Sequence, residues 1–268
     1  MQRATTKALF LTTLFGALAL EAHLFGAHAH AVDRTVADAE SVDAFDQRLG
    51  DASTRFRTRG AYRGRAVNVE LAAKLLDGAV IAPGAELSFD AVVGERTAER
   101  GFRNAPVIAN GELRRGIGGG VCQVASTLHL ASLRSGLEVV EHRTHTLPSS
   151  YLDPGLDARI AWGTQDYRVR NPHPFPVRVR ATAADGRLAV TIEGAEARRH
   201  EVRTELVREL PADEQVVLDP TLSPGEVVVE NEGRDGLVVR VVIVDAEGRG
   251  TSTLHRYAPA TRVIRRGA

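Results

Sequence analysis

From residue 68 onward the apolar and polar positions of the chain settle into readable periods. In "NVELAAKLLDG", Val69, Ala72, Ala73 and Leu76 recur on one face, which predicts a helix with Asn68 as its N-cap and Gly78 closing it. Pro83 and Gly84 then turn the chain into "ELSFDAVVG", where Leu87 and Phe89 alternate with Ser88 and Asp90 in the period of a strand. "APVIANGELRRG" reads as a hairpin around Asn110-Gly111, the dipeptide that two-residue turns favour. After Cys122 the period is helical again. Val121, Val124, Ala125, Leu128 and Ala131 form one apolar patch, and Leu130, Leu133 and Leu137 form another nearly opposite. A helix apolar on two sides belongs in the middle of a domain. It ends near Ser135-Gly136, and "LEVVEHR" follows as a strand.

From about residue 196 the pattern becomes a set of valine-rich runs, "EQVVLDP", "GEVVVENEG", "GLVVRVVIVDAEGRG" and "TRVIRRG", parted by Gly, Pro and Asp. Such runs are short strands joined by tight turns. The fold class is therefore α+β: a mixed domain at 56–195 with a buried central helix starting at the cysteine, and a small all-β domain at 196–268. Residues 1–31 combine Arg3 and Lys7, an apolar stretch at 8–20 and the small-residue run "AHAHA", the pattern of a signal peptide, cleaved or kept as an anchor. Residues 32–55 are polar and read as a leader, either a short helix or a stalk.

Charge changes this picture by exclusion. The 34 basic and 34 acidic side chains cancel, which removes the electrostatic case for a nucleic-acid partner. A membrane is expected to matter only through an uncleaved leader. Export places the chain in an oxidising compartment, where its single cysteine can close no internal disulfide. Cys122 is either an inert packed residue or a thiol kept for chemistry. The glycines of "GGGVC" allow a tight turn and close approach, and a helix start lowers a thiol pKa. The main-chain N–H groups of Gly119, Gly120 and Gln123 are candidate oxyanion donors.

A thiol nucleophile needs a base and a group that orients it. His129 is seven residues along the same helix, about 10 Å away by helical rise. His142 and His145 lie on or beyond the returning strand and are better placed. His173 reads as a loop residue, and His200 and His255 as surface positions of the all-β domain. Asp157 and Asp166 are the acids within reach. The chain lacks the lysine of a phosphate loop, the spacing of a zinc site and a serine elbow, so no metal and no cofactor is expected.

Across residues 53–182 the segments "SFDAVVGERTAERGF", "APVI", "GIGGGVCQVASTL", "HTLP" and "GLDA" resemble the VanW-like family. The resemblance implies a cysteine L,D-transpeptidase that acts on peptidoglycan through a thioester. Cys122 would be the nucleophile, His145 (before Leu-Pro) the base and Asp157 the orienting acid. Arg96, Arg114 and Arg115 are candidates for holding a substrate carboxylate. Ala125 and the pair His129-Leu130 depart from the family's usual serine and Tyr-Asn. The C-terminal domain resembles the five-glycine domain of wall-acting enzymes, which implies wall binding without catalysis. Expected partners are stem peptides and glycan strands, in the periplasm or cell wall. Two other readings stand beside this one: a non-catalytic wall-binding accessory protein, and a stem-peptide hydrolase using the same cysteine.

Overall fold

The computed structural model describes residues 45–109 and 112–268. The predicted signal peptide, most of the predicted leader and the Asn110-Gly111 turn lie outside the described residues. In chain order the first part contains β1 (Gln47–Arg55), α1 (Arg63–Leu76), β2 (Val80–Ile81), β3 (Glu86–Ser88), α2 (Phe89–Val93), β4 (Asn104–Ala109) and β5 (Glu112–Ile117). It continues with α3 (Val121–Arg134), β6 (Glu138–Glu141), β7 (Arg168–Arg170), β8 (Val177–Ala184) and β9 (Arg187–Gly194). The remainder is all strand: β10 (Glu201–Leu210), β11 (Glu214–Asp219), β12 (Val227–Asn231), β13 (Gly236–Val244), β14 (Gly250–Tyr257) and β15 (Arg262–Gly267).

An antiparallel sheet of order β1-β9-β8-β2 forms the floor, and α1 and α3 pack on it. Its inner face alternates as a half-buried sheet must, with Val177, Val179 and Ala181 on β8 and Leu188, Val190 and Ile192 on β9. The helix that starts at the cysteine is α3, and every side chain from Gln123 to Leu133 is buried. Both apolar sides are buried, and α3 packs against β1 and β9 of the floor and against β6. A second sheet has the order β3-β7-β6, and β4 and β5 make the predicted hairpin. The C-terminal part forms two three-stranded sheets, β10-β13-β14 and β11-β15-β12.

Three local expectations are corrected. Residues 47–55 are not leader but β1, paired along its length with β9. Only Leu49 and Ala52 are apolar there, so the strand hides its period. Its third inward residue is Thr54, whose hydroxyl lies 2.9 Å from that of Thr127 and accepts from Gln123 Nε2 at 2.8 Å. Asn68 is inside α1 rather than at its cap, because the helix starts at Arg63. The strand through "ELSFDAVVG" stops at Ser88, whose hydroxyl accepts from the N–H of Ala91 at 3.0 Å and caps α2.

Gly50 lets β1 close on the end of α3. A Cβ there would stand 2.6 Å from Ser135 N and 2.7 Å from Ala131 O, both backbone atoms with no freedom to move aside. Gly50→Ala is expected to lower the stability of the full chain by about 2 kcal/mol, read from denaturant unfolding. An unchanged midpoint would contradict this packing.

Candidate active site

The glycine loop reaches α3 through Gly120, at φ 107°, where a Cβ would also stand 2.8 Å from Cγ of Arg65. Asn68, buried in α1, clamps the loop from below. Its Nδ2 donates to the carbonyls of Gly119 and Arg103, each at 2.9 Å, and its Oδ1 accepts from Arg103 N at 2.6 Å. Gln123 is pinned on its other side by Nε2 bonds to Thr54 Oγ1 at 2.8 Å and Arg55 O at 2.9 Å. Its own N–H donates to Gly120 O at 3.0 Å, so it is corrected out of the oxyanion set. The N–H groups of Gly119 and Gly120 have no acceptor among the described residues.

Cys122 is the second residue of α3 and is half-buried. Its thiol donates to Ile160 O at 3.6 Å, and the His145 ring interacts with the sulfur as hydrogen-bond partner and as charge. The other side of that ring is fixed. Asp157 Oδ2 accepts from His145 Nδ1 at 2.5 Å and from His145 N at 2.7 Å, which leaves Nε2 for the sulfur. Asp157 Oδ1 accepts from the hydroxyl of Tyr257, one hundred residues away on β14, and that hydroxyl accepts from Gly155 N at 2.6 Å. Ser126, one turn along α3 from Cys122, accepts from Ala158 N at 2.8 Å and lies 2.7 Å from Cys122 O. It ties the loop that carries Asp157 to the helix that carries the thiol.

These contacts set the charges. Burial raises the cost of a thiolate, but the His145 hydrogen bond and charge outweigh it and bring the Cys122 pKa below the ordinary thiol value. Burial pulls His145 down, while the bonds to Asp157 and Cys122 push it up to about 9. Burial pushes Asp157 up, and its bonds to His145 and Tyr257 hold it below the usual carboxylate range. These directions favour a thiolate–imidazolium pair with an ionised aspartate behind it.

The structure separates the two histidines. His142 Nε2 donates to the main-chain carbonyl of Asp157 at 2.9 Å, and its ring stacks on buried His129 at 4.0 Å. Burial holds His129 and His142 below the ordinary imidazole value. His255, expected at the surface, meets the edge of His142 at 5.6 Å, and His173 is buried with Nε2 donating to Ser135 O at 2.9 Å. Asp166 is a local knot, accepting from Ser88 Oγ at 2.5 Å and from the N–H groups of Asp90 and Tyr167 at 2.8 Å.

Of the predicted arginines, Arg96 is beside the site and adds to the field at Cys122, but its guanidinium is committed to Asp90 at 2.6 Å. Arg114 and Arg115 are exposed on β5. Sequence reasoning missed Arg65, which interacts electrostatically with Cys122 and Tyr151. Among the described residues Arg65 has a neutral partner, Gln123 Oε1 at 2.7 Å, and no acidic one. It also missed Tyr257, for which a tyrosine in a valine-rich β domain gives no signal.

Residues 64–193 match the family described as "VanW like protein". The "Uncharacterized protein YoaR" of Bacillus subtilis (strain 168) is 40% identical over 146 residues, 54% of this chain and 48% of the relative. The "Vancomycin B-type resistance protein VanW" of Enterococcus faecalis (strain ATCC 700802 / V583) is 31% identical over 126 residues, 45% of this chain and 46% of the relative. The similarity thus spans about half the length of each of these curated relatives. "IgA1 Protease G5 domain structure" covers 27% of this chain and 94% of that one at 22% identity and TM-score 0.21. "Crystal structure of HP0197-G5" covers 27% and 100% at 19% identity and TM-score 0.18. The chain therefore carries a VanW-like domain at residues 64–193.

Proposed function

We propose that the protein is an exported cysteine acyltransferase of the L,D-transpeptidase type, acting on peptidoglycan stem peptides. The observation that supports this most is the chain of contacts from Cys122 through His145 to the buried carboxylate of Asp157. Such a pair gives a nucleophile and its proton donor at one pH.

In this reading the Cys122 thiolate attacks the carbonyl carbon between the third residue and the terminal D-Ala of a tetrapeptide. The N–H groups of Gly119 and Gly120 face the developing oxyanion. The C–N bond then breaks, the departing amine takes the proton of the His145 imidazolium, and a thioester remains. An amine of a second stem attacks that thioester, giving its proton to the now neutral His145. The C–S bond breaks, and thiolate and imidazolium are restored. Arg65, held by Gln123 beside the glycine loop, offers a charge for a donor carboxylate.

Intact-mass measurement of the full chain with purified stem tetrapeptide is expected to show an adduct of the donor minus D-Ala, absent in Cys122→Ala. No adduct and no released D-Ala from a folded protein would favour the wall-binding reading. Water in place of the second amine would release the free tripeptide and mark a hydrolase.

Acylation needs thiolate and imidazolium together. Its rate should fall as pH rises through about 9, where His145 loses its proton, and again as pH falls through the depressed thiol value. A rate that keeps rising above that upper limb would contradict the pair. Arg65→Gln is expected to raise the donor KM by roughly tenfold with kcat largely kept. An unchanged KM would remove Arg65 from substrate binding.

A further inference from the structure

Between the VanW-like domain and the edge strand β14 lies an open cavity of about 480 Å³. His142, Arg143 and Arg159 line it from one side, and Leu254, His255 and Arg256 from the other. No acidic side chain lines it. Among the described residues none of its three arginines has an acidic partner. Arg159 is the most telling. Its main chain is fixed by an N–H bond to Arg143 O at 2.7 Å, yet its buried Nε meets no acceptor. A buried donor without a partner is costly, and guanidinium groups are matched to planar anions. The histidines add no opposing charge: burial lowers His142 and His255 from the ordinary imidazole value, so both stay neutral at pH 7. The lining therefore carries the positive charge of its arginines alone.

We propose that this cavity is an anion-binding subsite shared by the two domains, and that it takes a free carboxylate of a peptidoglycan stem peptide. Arg143 stands two residues before His145, and His142 of the lining donates to the main-chain carbonyl of Asp157 at 2.9 Å, so the cavity adjoins the segments that carry the reacting groups. The choice of ligand rests on the cell-wall reading above; the charge of the cavity does not. The subsite also gives the C-terminal domain a part in substrate binding.

The test is calorimetric titration of the full chain, carrying Cys122→Ala so that binding is read without acylation. The probes are a disaccharide-tetrapeptide with free carboxylates and the same compound with those carboxylates amidated. Arg159→Gln and Arg256→Gln are each expected to weaken binding about tenfold, and amidation to do the same. Arg256→Lys should recover part of the loss. Arg256 is exposed, and unchanged unfolding midpoints confirm that the variants fold. Equal binding by parent and variants, or equal binding of the amidated probe, overturns the subsite. An acyl-enzyme formed by variants with unaltered donor KM rejects the subsite alone. Arginine-dependent binding, with no acyl-enzyme formed when the same probe meets the chain with Cys122 intact, rejects the catalytic reading and leaves the subsite standing.

Discussion

Asp157 is fully buried and ionised, and a buried charge stripped of a partner costs several kcal/mol. Its two oxygens are therefore filled from three directions: the ring and main-chain N–H of His145, and the hydroxyl of Tyr257. This requirement organises the surroundings. It fixes the His145 ring with one nitrogen toward Asp157 and the other toward the sulfur. It also draws β14 of the C-terminal sheet against the loop at 153–157, where Val239 and Val241 of β13 pack on Gly155. The C-terminal domain is thus joined to the site by a hydrogen bond to the carboxylate, beyond mere proximity.

The glycine loop answers a different constraint. Placing a thiol at the start of a buried helix brings Arg65 against the loop and links it to β1 through Gln123. Gly120 has no Cβ to meet Arg65, Asn68 satisfies the loop carbonyl of Gly119, and Gln123 spans from β1 to Arg65. Each is polar or minimal in a place where apolar bulk would pack more simply. That choice fits a helix start held for chemistry, because an inert packed cysteine needs no such scaffold.

Much of this could be read from residue order. The apolar patches on both sides of α3 announced a central buried helix, and the valine runs announced the β domain. The thiol after three glycines, and the His and Asp that the VanW-like resemblance carried over, converge in space. Most of what stayed hidden has one cause, which is pairing across long separation. Thr54 takes an inward position of β1 that a period search credits to apolar residues. Asn68 looked like a cap because its type suits caps, while its amide serves a loop fifty-one residues ahead. Gln123 N–H looked free until the turn at Gly120 claimed it. Tyr257 and His255 sit among strands whose valines Val227, Val228 and Val229 are exposed, so β pattern there gave no guide to which side chains face the site.

The central claim is a charged thiol stabilised by His145. Thiolate absorbance near 240 nm, followed against pH in the full chain with Cys122→Ala as blank, tests it most directly. The account expects a titration midpoint below the ordinary thiol value, and in His145→Ala a midpoint raised above that value because burial is then the largest remaining influence. A wild-type midpoint at or above the ordinary thiol value, unchanged by His145→Ala, would contradict it.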